Sequence, residues 1–362
     1  MPPPFRPFHA GPLQQLLETP GVTDVLVNGP EEVWVDRGLG LERAPVRFAN
    51  PAEVRELAVR LASLGGRRLD DASPLVDARL PDGTRLHAAL PPVVDRCAAL
   101  SLRAVRARAF TLAELDMGGT LAGGLATVLE GLVAARASLL ITGATGSGKT
   151  TLLAALLSLV DPAERIVVIE EAGEVNPNHP HVVRLVERRA NVDGAGEVSV
   201  ARLVREALRM RPDRVILGEC RGAEVRDVLT AFNTGHRGGM ATLHANTPAD
   251  VPARFAALGA LAHLDQRATD LHAAAAFEAV IHLDKTPGGR RVTSVAVLRA
   301  AEGRRGTRLQ VETALAVDSF GGVVPGPAWG ELRALIGEGW PGGAAWSGSE
   351  AWPASLVSVV AA

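Results

Sequence analysis

The spacing of apolar residues changes character along the chain, and the change falls near Leu121. Before it the pattern predicts short strands, two hairpins and one helix. Val25-Leu26-Val27 and Val33-Trp34-Val35 flank a turn at Asn28-Gly29-Pro30, the mark of a hairpin. Between Glu53 and Leu64, apolar residues at 54, 57, 58, 61 and 64 share one helical face. Pro81-Asp82-Gly83 is a turn between Val76–Leu80 and Arg85–Leu90, a second hairpin. Residues 13–108 therefore read as a small α+β domain. Residues 1–12 are Pro-rich and expected to be disordered. Residues 109–120, after the closely spaced Arg103, Arg106 and Arg108, read as a linker.

From residue 121 to about 320, helical patterns alternate with short apolar strands, which predicts an α/β domain with a parallel sheet. Arg165–Glu170, Asp213–Glu219 and Met240–His244 are strands. Ser199 is suited to cap a helix with apolar positions 200, 203, 204, 207 and 208, which Pro212 stops. Ala223–Phe232 is a further amphipathic helix. Residues 321–362 turn rich in Gly, Pro and Trp and read as an irregular tail.

The first strand of this domain, Leu139-Leu140-Ile141-Thr142, runs into Gly143-Ala144-Thr145-Gly146-Ser147-Gly148-Lys149-Thr150 and then into the helix-like run Leu152–Leu157. The octamer matches G-x-x-x-x-G-K-[ST], a phosphate-cradling loop. In a chain with 38 glycines the octamer alone is weak evidence, but its strand–loop–helix setting is what the chemistry needs. Glycines let backbone N–H groups turn toward phosphate oxygens, and the helix adds its positive end. Residues Gly143 to Thr151 are thus the candidate nucleotide site, and Thr150 carries the hydroxyl for Mg²⁺. Lys149 is one of only two lysines among 38 basic residues, the other being Lys285. A compact ammonium has been kept where it must fit between phosphates.

Bulk composition narrows the partners. The 362 residues suffice for two ordinary domains, and a net charge of −2 gives no footprint for non-specific nucleic-acid binding. Cys97 and Cys220 form no CxxC pair, so no cysteine-based zinc site is expected and a reducing compartment is favoured. No apolar run approaches the roughly 18–20 residues that span a bilayer. The N-terminus lacks the apolar core of a signal peptide.

Ligands of open parallel sheets gather at the carboxyl ends of the strands. Three candidate carboxylates sit there: Glu170 and Glu171 after Ile166–Ile169, and Glu219 after Val215–Gly218. Adjacent carboxylates on extended chain point in opposite directions, so one of Glu170 and Glu171 faces the metal, and the residues leave open which. His244 ends the fourth strand and reads either as a member of the site or as an ordinary surface or core histidine. His179 and His181 read as loop residues.

With these residues in place the chain resembles the type II/type IV secretion ATPase superfamily, and within it the Flp/Tad-type (CpaF-like) pilus-assembly and conjugal-transfer-associated branch. The likeness covers roughly residues 15–315. It rests on Val76–Arg85, Leu100–Arg103, the phosphate loop, Ile169–Glu174, Met210–Glu219, Asn233–His236 and Ala241–Asn246, in that order. The resemblance implies a RecA-like P-loop domain behind the N-terminal domain. It implies an ATP-hydrolysing, Mg²⁺-dependent homohexamer in the cytoplasm, docked on an inner-membrane platform protein and driving pilus-subunit assembly or export. It places Glu170, Glu171 and Glu174 in the family's Asp box, Gly218-Glu219 in its Walker B motif and His244 in its His box as a γ-phosphate sensor. Arg79, Arg85 and Arg103 fall on the positions whose arginines neutralise the γ-phosphate, in their own subunit or a neighbouring one. No nucleic acid and no metal other than Mg²⁺ are implied. Two positions depart from the family pattern: Glu171 stands where an Asp is usual, and Ala104 where a basic or polar residue is, with Arg106 as a substitute. The alternatives are a nucleic-acid-translocating P-loop ring, which the charge and the 4% aromatic content disfavour, and a non-hydrolysing nucleotide-gated scaffold.

Overall fold

The computed structural model describes residues 10–38, 40–104, 109–188, 196–286, 288–303 and 306–337. The chain divides into two compact units, Met1–Ala107 and Arg108–Ala362.

The first unit is one antiparallel sheet packed on a helix. A single 3₁₀ turn and α1 (Gln14–Glu18) lead into β1 (Asp24–Gly29), β2 (Glu32–Asp36) and β3 (Leu41–Arg43). After α2 (Pro51–Leu64) come β4 (Leu75–Arg79), β5 (Arg85–Ala89) and β6 (Ala99–Arg103), giving the order β3-β2-β1-β6-β5-β4. Both expected hairpins are present, with Val27 opposite Val33 and Ala78 opposite Leu86. Asn50 caps α2 by accepting from the Glu53 N–H at 3.0 Å. The helix buries Val54, Leu57, Ala58 and Leu61 against Val25, Val27, Leu86 and Leu102 of the sheet. Residues 10–13 do not follow the expectation of disorder: Ala10 and Leu13 are fully buried and anchor the chain to this core. The rest of that expectation, residues 1–9, lies outside the described residues, as do Arg106 and Arg108.

The second unit begins with α3 (Leu112–Met117), inside the segment expected to be a linker. Thr111 and Glu114 form a complete capping box, and Leu112 and Leu115 are buried. Two apolar anchors and a satisfied N-terminus are enough to fold six residues onto the larger core. There follow α4 (Leu125–Ala134), β7 (Leu139–Gly143), α5 (Lys149–Leu157), β8 (Ile166–Glu170), β9 (Val182–Val186), α6 (Val200–Ala207), β10 (Arg214–Cys220), α7 (Val225–Asn233), β11 (Met240–Leu243), α8 (Val251–Leu261) and α9 (Gln266–Ala276). The unit continues with β12 (Ala279–Thr286), β13 (Gly289–Gly303), β14 (Gly306–Val317), β15 (Val323–Pro325) and α10 (Trp329–Ile336). The tail expectation fails over its first part. Val323–Pro325 pairs with β14, and Ala328 and Leu332 are fully buried, so the sheet edge and one helix recruit a stretch whose Gly and Pro content hid its few apolar anchors. Residues 338–362 lie outside the described residues.

The nine strands run β15-β14-β13-β12-β7-β11-β10-β8-β9. From β12 to β9 every pair is parallel, and β13 to β15 extend the sheet antiparallel. Both faces of the parallel part are covered, which explains why β7 and β8 are apolar almost throughout. Leu139 and Ile141 face a core built with α4 and α5, while Leu140 faces α7 and α8. Among the described residues no helix is long and apolar enough to cross a membrane.

Candidate nucleotide site

The order β7-β11-β10-β8 brings four strand ends side by side. They carry the glycine loop, His244, Glu219 and Glu170. Residues a hundred positions apart therefore converge on one edge.

The loop leaves β7 at Gly143 and enters α5 through Gly148. Gly143, Gly146 and Gly148 have φ of 147°, 75° and 100°, values that L side chains rarely adopt. A Cβ at Gly143 would lie 2.3 Å from the Leu283 carbonyl oxygen and 2.5 Å from Ser147 Oγ, so only glycine passes there. Ala144, Thr145 and Gly146 stand exposed at the crest, whereas Ser147 is fully buried and its Oγ has no partner among the described residues. Thr150 and Thr151, in the first turn of α5, are half-buried. Lys149 is 6% exposed, and its ammonium donates to the Gly143 and Ala144 carbonyls at 2.9 Å each. Burial pushes this amine below its ordinary range, with Glu219 opposing the shift and Arg221 adding to it. A curled loop with an exposed crest, a buried cation and a helix N-terminus together fit a polyphosphate anion.

The carboxylates separate by role. Glu170 is 5% exposed; its Oε1 accepts the N–H groups of Glu174 and Val175 at 2.8 Å, which fixes the turn after β8. Its side chain lies flat on Gly218, where an added Cβ would stand 2.7 Å from Glu170 Cγ. Glu171 points the other way and meets Arg221 Nη1 at 3.2 Å. Arg221 also binds Glu219 Oε2, and Glu219 Oε1 contacts His244 Nε2. His244 Nδ1 lies 3.4 Å from Lys149 Nζ. Glu171, Arg221, Glu219, His244 and Lys149 thus form one continuous chain of polar contacts over the phosphate loop. Burial lowers the His244 pKa, while the Glu219 carboxylate raises it. The Thr150 hydroxyl and the Glu170 and Glu171 carboxylates carry hard oxygen donors of the kind Mg²⁺ takes.

Three further residues support the site. Arg221 was within reach of sequence reasoning, because a residue two positions beyond Glu219 shares its side of a strand. Arg290, on β13, donates from Nε to the Gly146 carbonyl at 2.8 Å, and nothing local in the sequence links these positions. His282 is 2% exposed beneath the loop; Thr142 Oγ1 lies 2.8 Å from its Nδ1, and its Nε2 is 3.1 Å from the Asn246 carbonyl. His179 and His181 instead contact the Asp161 carbonyl and Arg165.

In the first unit, Arg79 pairs with Arg85 in register, Arg85 with Arg103, and Arg103 with Asp24. Register partners share a face, so the three arginines form a row on the face opposite the core. Arg103 binds Asp24 at 3.0 Å, and Arg85 lies 4.0 Å from Asp77.

Against known proteins, the profile of the family described as type II/IV secretion system protein matches residues 8–292. The chain belongs to that family. It is 53% identical over 302 residues to a candidate conjugal transfer protein of Mycobacterium tuberculosis H37Rv, covering 82% of this chain and 86% of the relative. Its fold resembles that of the Legionella pneumophila ATPase DotB, with a TM-score of 0.53 and 19% identity over 88% of this chain and 84% of the other. It also resembles the pilus retraction motor PilT with bound ADP, with a TM-score of 0.53 and 20% identity over 83% and 81%. The second unit of this secretion-ATPase family member is accordingly a RecA-like P-loop domain, and the first is its N-terminal domain.

Proposed function

We propose that the chain is the ATP-hydrolysing motor of a secretion or Flp/Tad-type pilus-assembly machine. The observation that supports this best is the contact chain that brings Glu219 and His244 to Lys149 above the phosphate loop. Backbone N–H groups of Gly143 to Thr151 and the Lys149 ammonium hold the triphosphate. Thr150, with Glu170 or Glu171, would hold Mg²⁺, which when bound neutralises charge on the phosphates. Glu219 orients the attacking water and takes up its proton. His244, tied to Glu219 on one nitrogen and facing Lys149 with the other, reads whether a γ-phosphate is present.

The arginine row supplies the remaining positive charge. Like charges opposite one another in a sheet cost roughly 0.2–1 kcal/mol per pair, and Arg79, Arg85 and Arg103 accept that cost in adjacent strands. A polyanion offsets it. In this reading the row closes on the γ-phosphate of its own or a neighbouring subunit. Opening and closing then depend on how many phosphates are bound, because a ligand shifts an equilibrium only by its differential affinity for the two states. The working form is a homohexamer in the cytoplasm, peripheral to the membrane through a platform protein. The conjugal and pilus-motor descriptions of the relatives support a transport role, and the output is subunit assembly or export.

The test is phosphate release from Mg²⁺-ATP by wild type and Glu219→Gln, with ATP binding followed by a fluorescent analogue. Loss of about 10³-fold in kcat with unchanged affinity supports the assignment. Equal turnover of the two proteins refutes it.

A further inference from the structure

β8 and β10 are adjacent parallel strands, so their carboxyl ends lie side by side. Glu171 directly follows β8, and Glu219 is the next-to-last residue of β10. Two carboxylates so placed repel unless a cation stands between them. The chain provides one. Arg221 binds Glu171 Oε2 through Nη1 at 3.2 Å and Glu219 Oε2 through Nη2.

Its backbone is set for this. The N–H groups of Arg221 and Gly222 both donate to Glu224 Oε1, at 2.7 and 2.8 Å, and this pins the turn after β10. Cys220 faces the core, which sends Glu219 and Arg221 to the same side. The Arg221 side chain is 51% exposed, so the guanidinium can swing out without disturbing packed neighbours. An exposed ion pair contributes little to stability. The geometry therefore points to a role in the site and not in the fold.

We infer that Arg221 is the counter-cation that holds Glu171 and Glu219 together and competes with a divalent ion for them. This rests on the ATPase reading and extends it. Arg221 and a divalent ion repel, so the guanidinium must give up at least one carboxylate as the site fills. Until then Arg221 holds one Glu219 oxygen and His244 lies against the other, and the carboxylate is kept from acting early. The role also accounts for the departure at position 171. An aspartate is one methylene shorter, so the 3.2 Å contact would open and the clamp would reach Glu219 alone. Arg221 is thus a positioning residue that acts through Glu219.

The experiment measures Mn²⁺ binding to the nucleotide-free full chain, by loss of the free-ion paramagnetic resonance signal, with phosphate release from ATP followed in parallel. Removing the guanidinium leaves two unneutralised carboxylates, so Arg221→Gln should bind Mn²⁺ about tenfold more tightly than wild type. Arg221→Lys, which keeps the charge, should stay within about twofold of wild type. The gain should vanish when Glu219→Gln is added to Arg221→Gln. Unchanged Mn²⁺ affinity in Arg221→Gln, or a gain that survives the second substitution, overturns the role of Arg221 while leaving the ATPase reading intact if wild type releases phosphate. Absence of phosphate release by wild type overturns the ATPase reading itself, whatever the Mn²⁺ result.

Discussion

In the nine-stranded sheet, charged side chains at the strand ends bind one another: Lys149 is 6% exposed, and Glu171, Arg221, Glu219 and His244 link up beside it. In the six-stranded sheet, Arg79, Arg85 and Arg103 stand in a row on the face away from the core, Arg103 with a side chain 53% exposed. The first arrangement is internally neutralised around a buried lysine. The second displays three arginines side by side on one face, with Asp24 and Asp77 beside them. Topology explains the contrast. Parallel strands bring all their carboxyl ends to one edge, which gathers residues far apart in sequence. An antiparallel sheet spreads register partners across an open face, which displays a row to something outside the sheet.

Substitutions can break this contrast, and the largest effect belongs to the row. Arg85→Ala or Arg103→Ala should lower ATP turnover by about 10³-fold or more, since arginines acting on a transferring phosphoryl group are worth about 10³–10⁵ in rate. Melting temperature should barely move, because exposed ion pairs contribute about 0–1 kcal/mol. A variant that loses stability and keeps turnover would make the row structural. Next comes the neutralised centre. Gly218→Ala forces a Cβ to within 2.7 Å of Glu170 Cγ, so chemical denaturation should show a loss of about 1–3 kcal/mol. Turnover should fall with it, as Glu170 holds the turn at Glu174 and Val175.

The smallest effect concerns pH. Burial holds the His282 imidazole below its ordinary 6.5, with Asp284 opposing the shift, so the unfolded chain takes up this proton more readily than the folded one. Its contribution is therefore intact above about pH 6.5 and is lost as the pH falls below that value. His244 is shifted in the same direction and adds to the slope. In urea unfolding between about pH 7.5 and pH 5, His282→Gln should lose less stability than wild type. An equal loss would place the titrating group elsewhere.

What the sequence made legible was what is local. The phosphate loop is eight consecutive residues whose flanks share its meaning, and Glu170, Glu219 and His244 each end an apolar run that reads as a strand. Asn28–Pro30 and Pro81–Gly83 declared their hairpins through turn chemistry. The antiparallel extension β13 to β15 stayed hidden, because its long strands are half-buried and carry no sharp apolar period. Arg290 reaches Gly146 across 144 positions, a distance that no local pattern spans. The helix Leu112–Met117 is different: its Thr111–Glu114 capping signature lay in plain view, masked by the arginine-rich segment before it. Which of Glu170 and Glu171 turns inward depends on the closeness of Gly218, a tertiary contact.

A displayed row that closes on a neighbouring chain's nucleotide makes hydrolysis depend on assembled chains. The most direct test is Mg²⁺-dependent ATP turnover per chain as a function of protein concentration, for wild type and Glu219→Gln side by side. The account predicts that wild-type turnover per chain rises with concentration to a plateau while the variant stays flat near zero and still binds ATP. Wild-type protein that binds ATP and shows no turnover at any concentration would contradict it and leave a nucleotide-gated scaffold.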